Sequence, residues 1–244
     1  MNIRFLVAVV CMAVGAPATP GFAHVPAEFL EVFSVHAALP VDHDVDLKTA
    51  VDQARRESKV TGPTYFAHST AAMGRSSGET PAFTNWYAIV DPVDQPRRSV
   101  SVLDLVRGSK EKMLTLGKAE FLLCPSQSIT TGAPAPIPDG LDFYKAYRVV
   151  DGPKVSMAVS VGGSGSSQRQ LGKPLYVCIA TQQWHHEATV TPSHPRDCFV
   201  VYELDEVKAE STVSTIDQFG LNELRRTKSV WLCVHGAILT KLVD

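Results

Sequence analysis

A spacing of 55 residues constrains this chain more than any other feature. Lys118, Lys173 and Lys228 are 55 apart (173 − 118 and 228 − 173), and so are Cys178 and Cys233 (233 − 178). The lysines sit in three similar segments: Leu116-Gly117-Lys118-Ala119-Glu120-Phe121-Leu122-Leu123-Cys124, Leu171-Gly172-Lys173-Pro174-Leu175-Tyr176-Val177-Cys178 and Thr227-Lys228-Ser229-Val230-Trp231-Leu232-Cys233. Another shared piece precedes the last two. Phe143-Tyr144-Lys145-Ala146-Tyr147 matches Cys198-Phe199-Val200-Val201-Tyr202, and each tyrosine stands 31 residues before its cysteine (178 − 147 and 233 − 202). Trp86-Tyr87-Ala88-Ile89-Val90 plays this part earlier. A unit of this size cannot bury its own apolar face, so neighbouring units must share a core.

The units read as strands. Tyr147 and Val149, then Val155, Met157, Val159 and Val161, alternate at period two. Branched and aromatic side chains suit a pleated surface. Gly162-Gly163-Ser164-Gly165-Ser166-Ser167 reads as a hairpin loop, and 130–140, with Pro134, Pro136 and Pro138, as a linker. A fourth, divergent copy opens the chain after its leader. Asp52-Gln53 answers Asp217-Gln218, and Gly62-Pro63-Thr64-Tyr65-Phe66-Ala67-His68 puts His68 in the cysteine position. Leu47, Ala50, Val51 and Ala54 fall at helical spacing, so a short helix there is the competing reading.

The reading is an all-β fold of antiparallel strands in about four tandem 55-residue repeats. They are expected as sandwich- or barrel-like repeat pairs, with a four-bladed propeller as the alternative. The boundaries are a signal peptide at 1–23, repeat 1 at 24–80, repeat 2 with its Pro-rich linker at 81–135, repeat 3 at 136–190 and repeat 4 at 191–244.

The leader has Arg4, a short apolar run from Phe5 to Gly15, and Gly21-Phe22-Ala23 before a cut at His24. The run is too short to span a bilayer, and no later segment is apolar for long enough. The expected location is secreted or periplasmic. A formal charge of −2, with 23 basic and 25 acidic residues, lacks the basic excess of a nucleic-acid binder. Removing the leader leaves Cys124, Cys178, Cys198 and Cys233, an even number for an oxidising compartment. Four cysteines allow three full pairings, and the count alone does not choose among them.

The units resemble an uncharacterised secreted bacterial repeat domain of unknown function, whose copies carry KCYKV-like, DQFG and LLCVP-like motifs. The last unit is the nearest, with Asp197-Cys198-Phe199-Val200-Val201-Tyr202, Asp217-Gln218-Phe219-Gly220 and Trp231-Leu232-Cys233-Val234. Phe121-Leu122-Leu123-Cys124-Pro125 also fits. Units two and three lack DQFG and the first cysteine. The resemblance implies a secreted all-β module without an established activity. It also implies a Cys198–Cys233 disulfide, with Cys178–Cys198 as the runner-up and Cys124 a buried thiol.

Catalytic motifs are missing. Gly163-Ser164-Gly165 lacks the glycine spacing of a nucleophile elbow, and neither a phosphate-binding loop nor a His-Glu-x-x-His is present. The candidate ligand loop is Trp184, His185 and His186 with His194. Imidazoles can bind zinc or copper, though neighbours on a strand point to opposite faces. His24 at a new N-terminus could chelate copper with His36, His43 or His68. Asp42, Asp44 and Asp46 read as a solvated acidic turn rather than a calcium loop. Trp86 and Trp231 read as core residues, which leaves Trp184 as the contact residue. No metal or cofactor is assigned. The function expected is a non-enzymatic extracellular or cell-surface module recognising a glycan or protein, without nucleic acid or membrane span. The alternative is a secreted hydrolase or copper-dependent enzyme without a recognisable motif.

Overall fold

A computed structural model describes residues 27–77, 80–91, 96–106, 110–129, 134, 136–162 and 166–240. The leader, its cut at His24 and, of the 130–140 linker, residues 130–133 and 135 lie outside these residues. The described chain is all-β. Its strands are β1 (Phe29–Ala37), β2 (Asp42–Thr49), β3 (Arg56–Ser69), β4 (Phe83–Val90), β5 (Arg98–Asp104), β6 (Glu111–Ser128), β7 (Tyr144–Asp151), β8 (Met157–Val161), β9 (Ser167–His185), β10 (Ala188–Val190), β11 (Asp197–Asp217) and β12 (Gly220–Ile238). Among the described residues no helix is long and apolar enough to cross a membrane. The stretch with helical spacing is instead the end of β2 and the turn after it. Asp52 fixes that turn by accepting from the Thr49 amide and hydroxyl, each at 3.0 Å.

All twelve strands join one antiparallel sheet, and eight of them pair in a closed circuit. It runs β1–β3–β4–β6–β7–β9–β11–β12 and returns from β12 to β1. The continuity of this pairing excludes the separate blades of a propeller. The circuit is built from four antiparallel pairs: β1 with β3, β4 with β6, β7 with β9, and β11 with β12.

Side chains alternate between two packing layers, as a pleated strand requires. On β9, Tyr176, Cys178 and Ala180 belong to one buried cluster, and Val177 and Ile179 to another. The first cluster fills the interior of the circuit. Tyr65 and Phe121 lie 5.4 Å apart, Phe121 and Tyr176 5.5 Å, Tyr176 and Trp231 5.4 Å, and Trp231 and Tyr65 4.2 Å between ring centroids. Their strands, β3, β6, β9 and β12, are not neighbours in the circuit, so these rings meet only across its interior. Ala67, Leu123, Cys178 and Cys233 belong to the same interior cluster, two positions along each strand.

The second cluster lies on the outer face, where the hairpin tips fold back. The tip of each hairpin docks beside the end of the strand pair opposite. β2 pairs with the end of β9, β5 with the end of β12, the end of β11 with the end of β6, and Val161 of β8 with Ala72 just after β3. Gly236 admits the β5 tip. A Cβ at that position would collide with the Leu103 carbonyl oxygen.

A tyrosine secures three of these four dockings. Tyr147 donates to Asp52 at 2.7 Å, Tyr87 to Asp217 at 2.7 Å and Tyr202 to Asp104 at 2.5 Å. Buried Lys112 also bonds Asp104, and fully buried Lys145 lies 3.7 Å from Asp52 and 3.1 Å from Asp91. The sequence at the fourth docking carries neither partner. β1 contains no tyrosine, its buried aromatics being Phe29 and Phe33, and the sequence from Gly162 to Ser166 contains no carboxylate. Burial pushes the Asp52 carboxyl up, but Lys145 and the bonds from Thr49 and Tyr147 outweigh it and hold it below the usual range. Among the described residues no cation offsets the burial of Asp217, and its carboxyl stays raised.

The expected Cys198–Cys233 disulfide is not formed. All four cysteines are buried free thiols. Cys198 belongs to the outer layer and Cys233 to the interior, so their side chains leave the sheet on opposite faces. The runner-up fails for the same reason, because Cys178 is interior. Cys124 is a buried thiol as expected, but it too faces outward, with Leu123 in the interior position.

Two measurements test this account. Tyr87→Phe removes one hydroxyl and leaves Asp217 with the Asn85 amide at 2.7 Å. The expected cost is about 1–3 kcal/mol, read from the midpoint of denaturant unfolding with an unchanged slope. Alkylation of the native protein should label none of the four thiols, whereas unfolding without a reductant should expose all four.

Candidate functional site

The histidine-bearing loop is the first candidate. Trp184 and His185 end β9, and His186 begins the tight turn into β10 with φ at 52°. His185 meets His186 at 4.2 Å and His43 of β2 at 5.8 Å between ring centroids. His43 stacks on Phe219 at 5.2 Å, which brings in the β11–β12 turn. A cavity of about 390 Å³ lies here, lined by Gln183, His185, His186, Val190 and Gln218 among others. Burial, then His186 and His43, push the His185 imidazole below its usual 6.5.

The four residues expected to act together are only partly gathered. Trp184 is covered on one side by the Arg55 guanidinium, 4.6 Å from its ring centroid, and Arg55 in turn donates to Asp46 at 2.7 Å. His194 sits on another loop, where Asp142 accepts from its amide at 3.1 Å and from that of Ser193 at 2.9 Å. Among the described residues no group of three or more His, Cys, Asp or Glu side chains is arranged to hold a metal ion. His68 is stacked on Phe33 at 5.1 Å, on the face opposite Ala67. Asp42, Asp44 and Asp46 lie on strand β2 rather than in a turn, and Asp42 pairs with Lys59 at 3.0 Å.

The second candidate was not visible in the motifs. It lies at one end of the circuit, beside the four-ring aromatic layer. A cavity of about 390 Å³ opens between β7 and β9. Arg148, Asp151 and Lys154 line one side, Lys173 the other, and Tyr176 and Trp231 the floor. Trp231 is half-buried, whereas Trp86 behind it is fully buried at 5.9 Å. Glu120 accepts from the Tyr176 hydroxyl at 2.9 Å and pairs with Arg148 at 3.4 Å. Burial, with Glu120 beside it, raises the Tyr176 hydroxyl well above its usual value, so it stays a neutral donor. A flat aromatic floor with polar groups at the rim is the usual build of a small-molecule pocket.

The signal that would have found this floor was the same 55-residue spacing. Phe121, Tyr176 and Trp231 are 55 apart (176 − 121 and 231 − 176), with Tyr65 56 before the first (121 − 65). Trp231 is a strand residue of β12, as expected, and packs against the interior cluster. It stands where the layer meets the cavity, and Trp184, the expected contact residue, is the one covered by its own chain.

The histidine cluster carries one prediction. In a proton-detected titration His185 should lose its proton below pH 6.5, and His186→Gln should move it back toward that value. The depressed value means that the unfolded chain binds this proton first. His185 therefore costs nothing above pH 6.5 and weakens the fold as pH falls through the depressed value.

Comparison with curated proteins and with solved structures yields no match. A family model described as a repeat of unknown function (DUF7450) matches residues 83–235. That stretch runs from β4 to near the end of β12, three of the four strand pairs and more than half of the chain, and the chain belongs to this family of repeats.

Proposed function

We propose that the protein is an exported recognition module that binds a saccharide at the cavity between β7 and β9. In this reading the units run 24–80, 81–135, 136–190 and 191–244 after a signal peptide at 1–23, and the module works outside the cytoplasm without catalysis. The observation that carries it is the half-buried Trp231 beside Tyr176 on the cavity floor. An indole face exposed at the bottom of a concave site offers a planar apolar surface with polar groups around it, the arrangement that holds small polar ligands. Both rings are set by the interior layer, so the surface is formed before any ligand arrives and little ordering is needed on binding.

The test is a saccharide-binding screen followed by titration of tryptophan fluorescence. Trp231→Ala should weaken binding at least tenfold, with Trp184→Ala unchanged. Circular dichroism and the unfolding midpoint would establish that Trp231→Ala still folds. The reverse pattern would move the site to the histidine loop.

A further inference from the structure

The rim of the β7–β9 cavity is predominantly basic. Its lining holds Arg148, Lys154 and Lys173 against a single acid, Asp151, in a protein whose formal charge is −2. Among the described residues neither Lys154 nor Lys173 makes an ion pair, and both are exposed. The Arg148 pair with Glu120 is loose, at 3.4 Å, and the Arg148 side chain is 57% exposed. Exposed, loosely held cations are free to turn toward an incoming anion at small cost. Arg148 pairs with Tyr176 across β7 and β9, which puts its guanidinium on the same sheet face as the aromatic floor.

We propose that this cavity takes an acidic sugar unit of an anionic polysaccharide, its ring on Trp231 and its carboxylate or sulfate among Arg148, Lys154 and Lys173. The proposal rests on the reading of the cavity as a saccharide site and names the chemical class of its ligand. Guanidinium binds a planar carboxylate through two parallel bonds, whereas the two ammonium groups act as point charges that accept either anion. A neutral sugar would stack on the same floor but offer no anion to Lys154, Lys173 or the loosely paired Arg148.

The test uses the full exported protein and Trp231 fluorescence, titrated with oligogalacturonate, dextran sulfate and unmodified dextran. Oligogalacturonate supplies a carboxylate, dextran sulfate a sulfate, and dextran neither. At least one anionic saccharide should bind tenfold or more tighter than dextran and weaken steeply from low to high salt. Lys154→Glu combined with Lys173→Glu should abolish that preference. Lys48→Glu combined with Lys208→Glu changes the net charge equally, away from the cavity, and should leave it intact. Which anion binds identifies the acid group. Equal, salt-insensitive binding of all three saccharides would overturn the proposal while leaving the saccharide site standing. Equal weakening by both double variants would also overturn it, by showing attraction to the whole protein rather than to the rim. If no saccharide binds the folded protein, the underlying reading falls as well.

Discussion

A closed circuit of strands must fill its own interior, and everything else in this structure follows from how that is done. Eight strands leave a space that only inward side chains can occupy. At one level of this interior the occupants are Tyr65, Phe121, Tyr176 and Trp231, one from the later strand of each pair, each within 5.5 Å of the next. At the next level the later strands supply smaller groups, Ala67, Leu123, Cys178 and Cys233, and the rings come from the earlier strands: Trp86 and Tyr144 pair with Leu123, and Phe199 with Cys178. Large and small side chains thus alternate between neighbouring strands, as close packing of an interior requires. The cysteines serve here as small apolar groups, and burial pushes the thiols of Cys178 and Cys233 far up, so they stay protonated and inert.

The outer face poses a second problem, because tips that fold back must bury the polar ends of their turns. The carboxylates of Asp52, Asp104 and Asp217 would be costly there without donors. Each receives one from a tyrosine on the opposite strand pair, so burial and docking are coupled in the same bond. The fourth docking shows the alternative solution. With no tyrosine on β1 and no acid from Gly162 to Ser166, neither partner is left unsatisfied. Removing both groups is tolerable where removing one would strand the other.

The strand class was legible because hydrophobic alternation states it directly, and the period because the lysines and cysteines recur 55 residues apart in units too short to bury their own apolar face. What failed was face assignment, since a slip of one residue reverses every side chain. Cys124 stands six residues after Lys118, while Cys178 and Cys233 stand five after theirs (124 − 118 against 178 − 173 and 233 − 228). That difference puts Leu123 inside and Cys124 outside. His68 makes the same slip, leaving Ala67 in the interior position. The disulfide expected from family likeness failed for a related reason, since joining the ends of a unit says nothing of which face each thiol leaves from. The cavity was hidden because its lining comes from β7, β9 and the far strand β12, which only the closed circuit brings together.

A repeated architecture offers the same cleft several times, so a specific site must come from where the units differ. The residue after each docking tyrosine is one such place. It is Ala88 on β4, Arg148 on β7 and Glu203 on β11. Glu203 lies against Gly172, close enough that a Cβ there would meet its carboxylate, so that position is filled by an acid. The lysines differ in the same way. Lys228 is paired with Glu206, whereas Lys173 lines an open cavity with no acid bound to it among the described residues. The shared positions, an aromatic inside each pair and a docking tyrosine outside three of the four, build a common scaffold. The unshared ones leave a cleft between β7 and β9 where cations lie beside the half-buried Trp231 indole, and that asymmetry sets this end of the ring apart from the copies with Ala88 and Glu203.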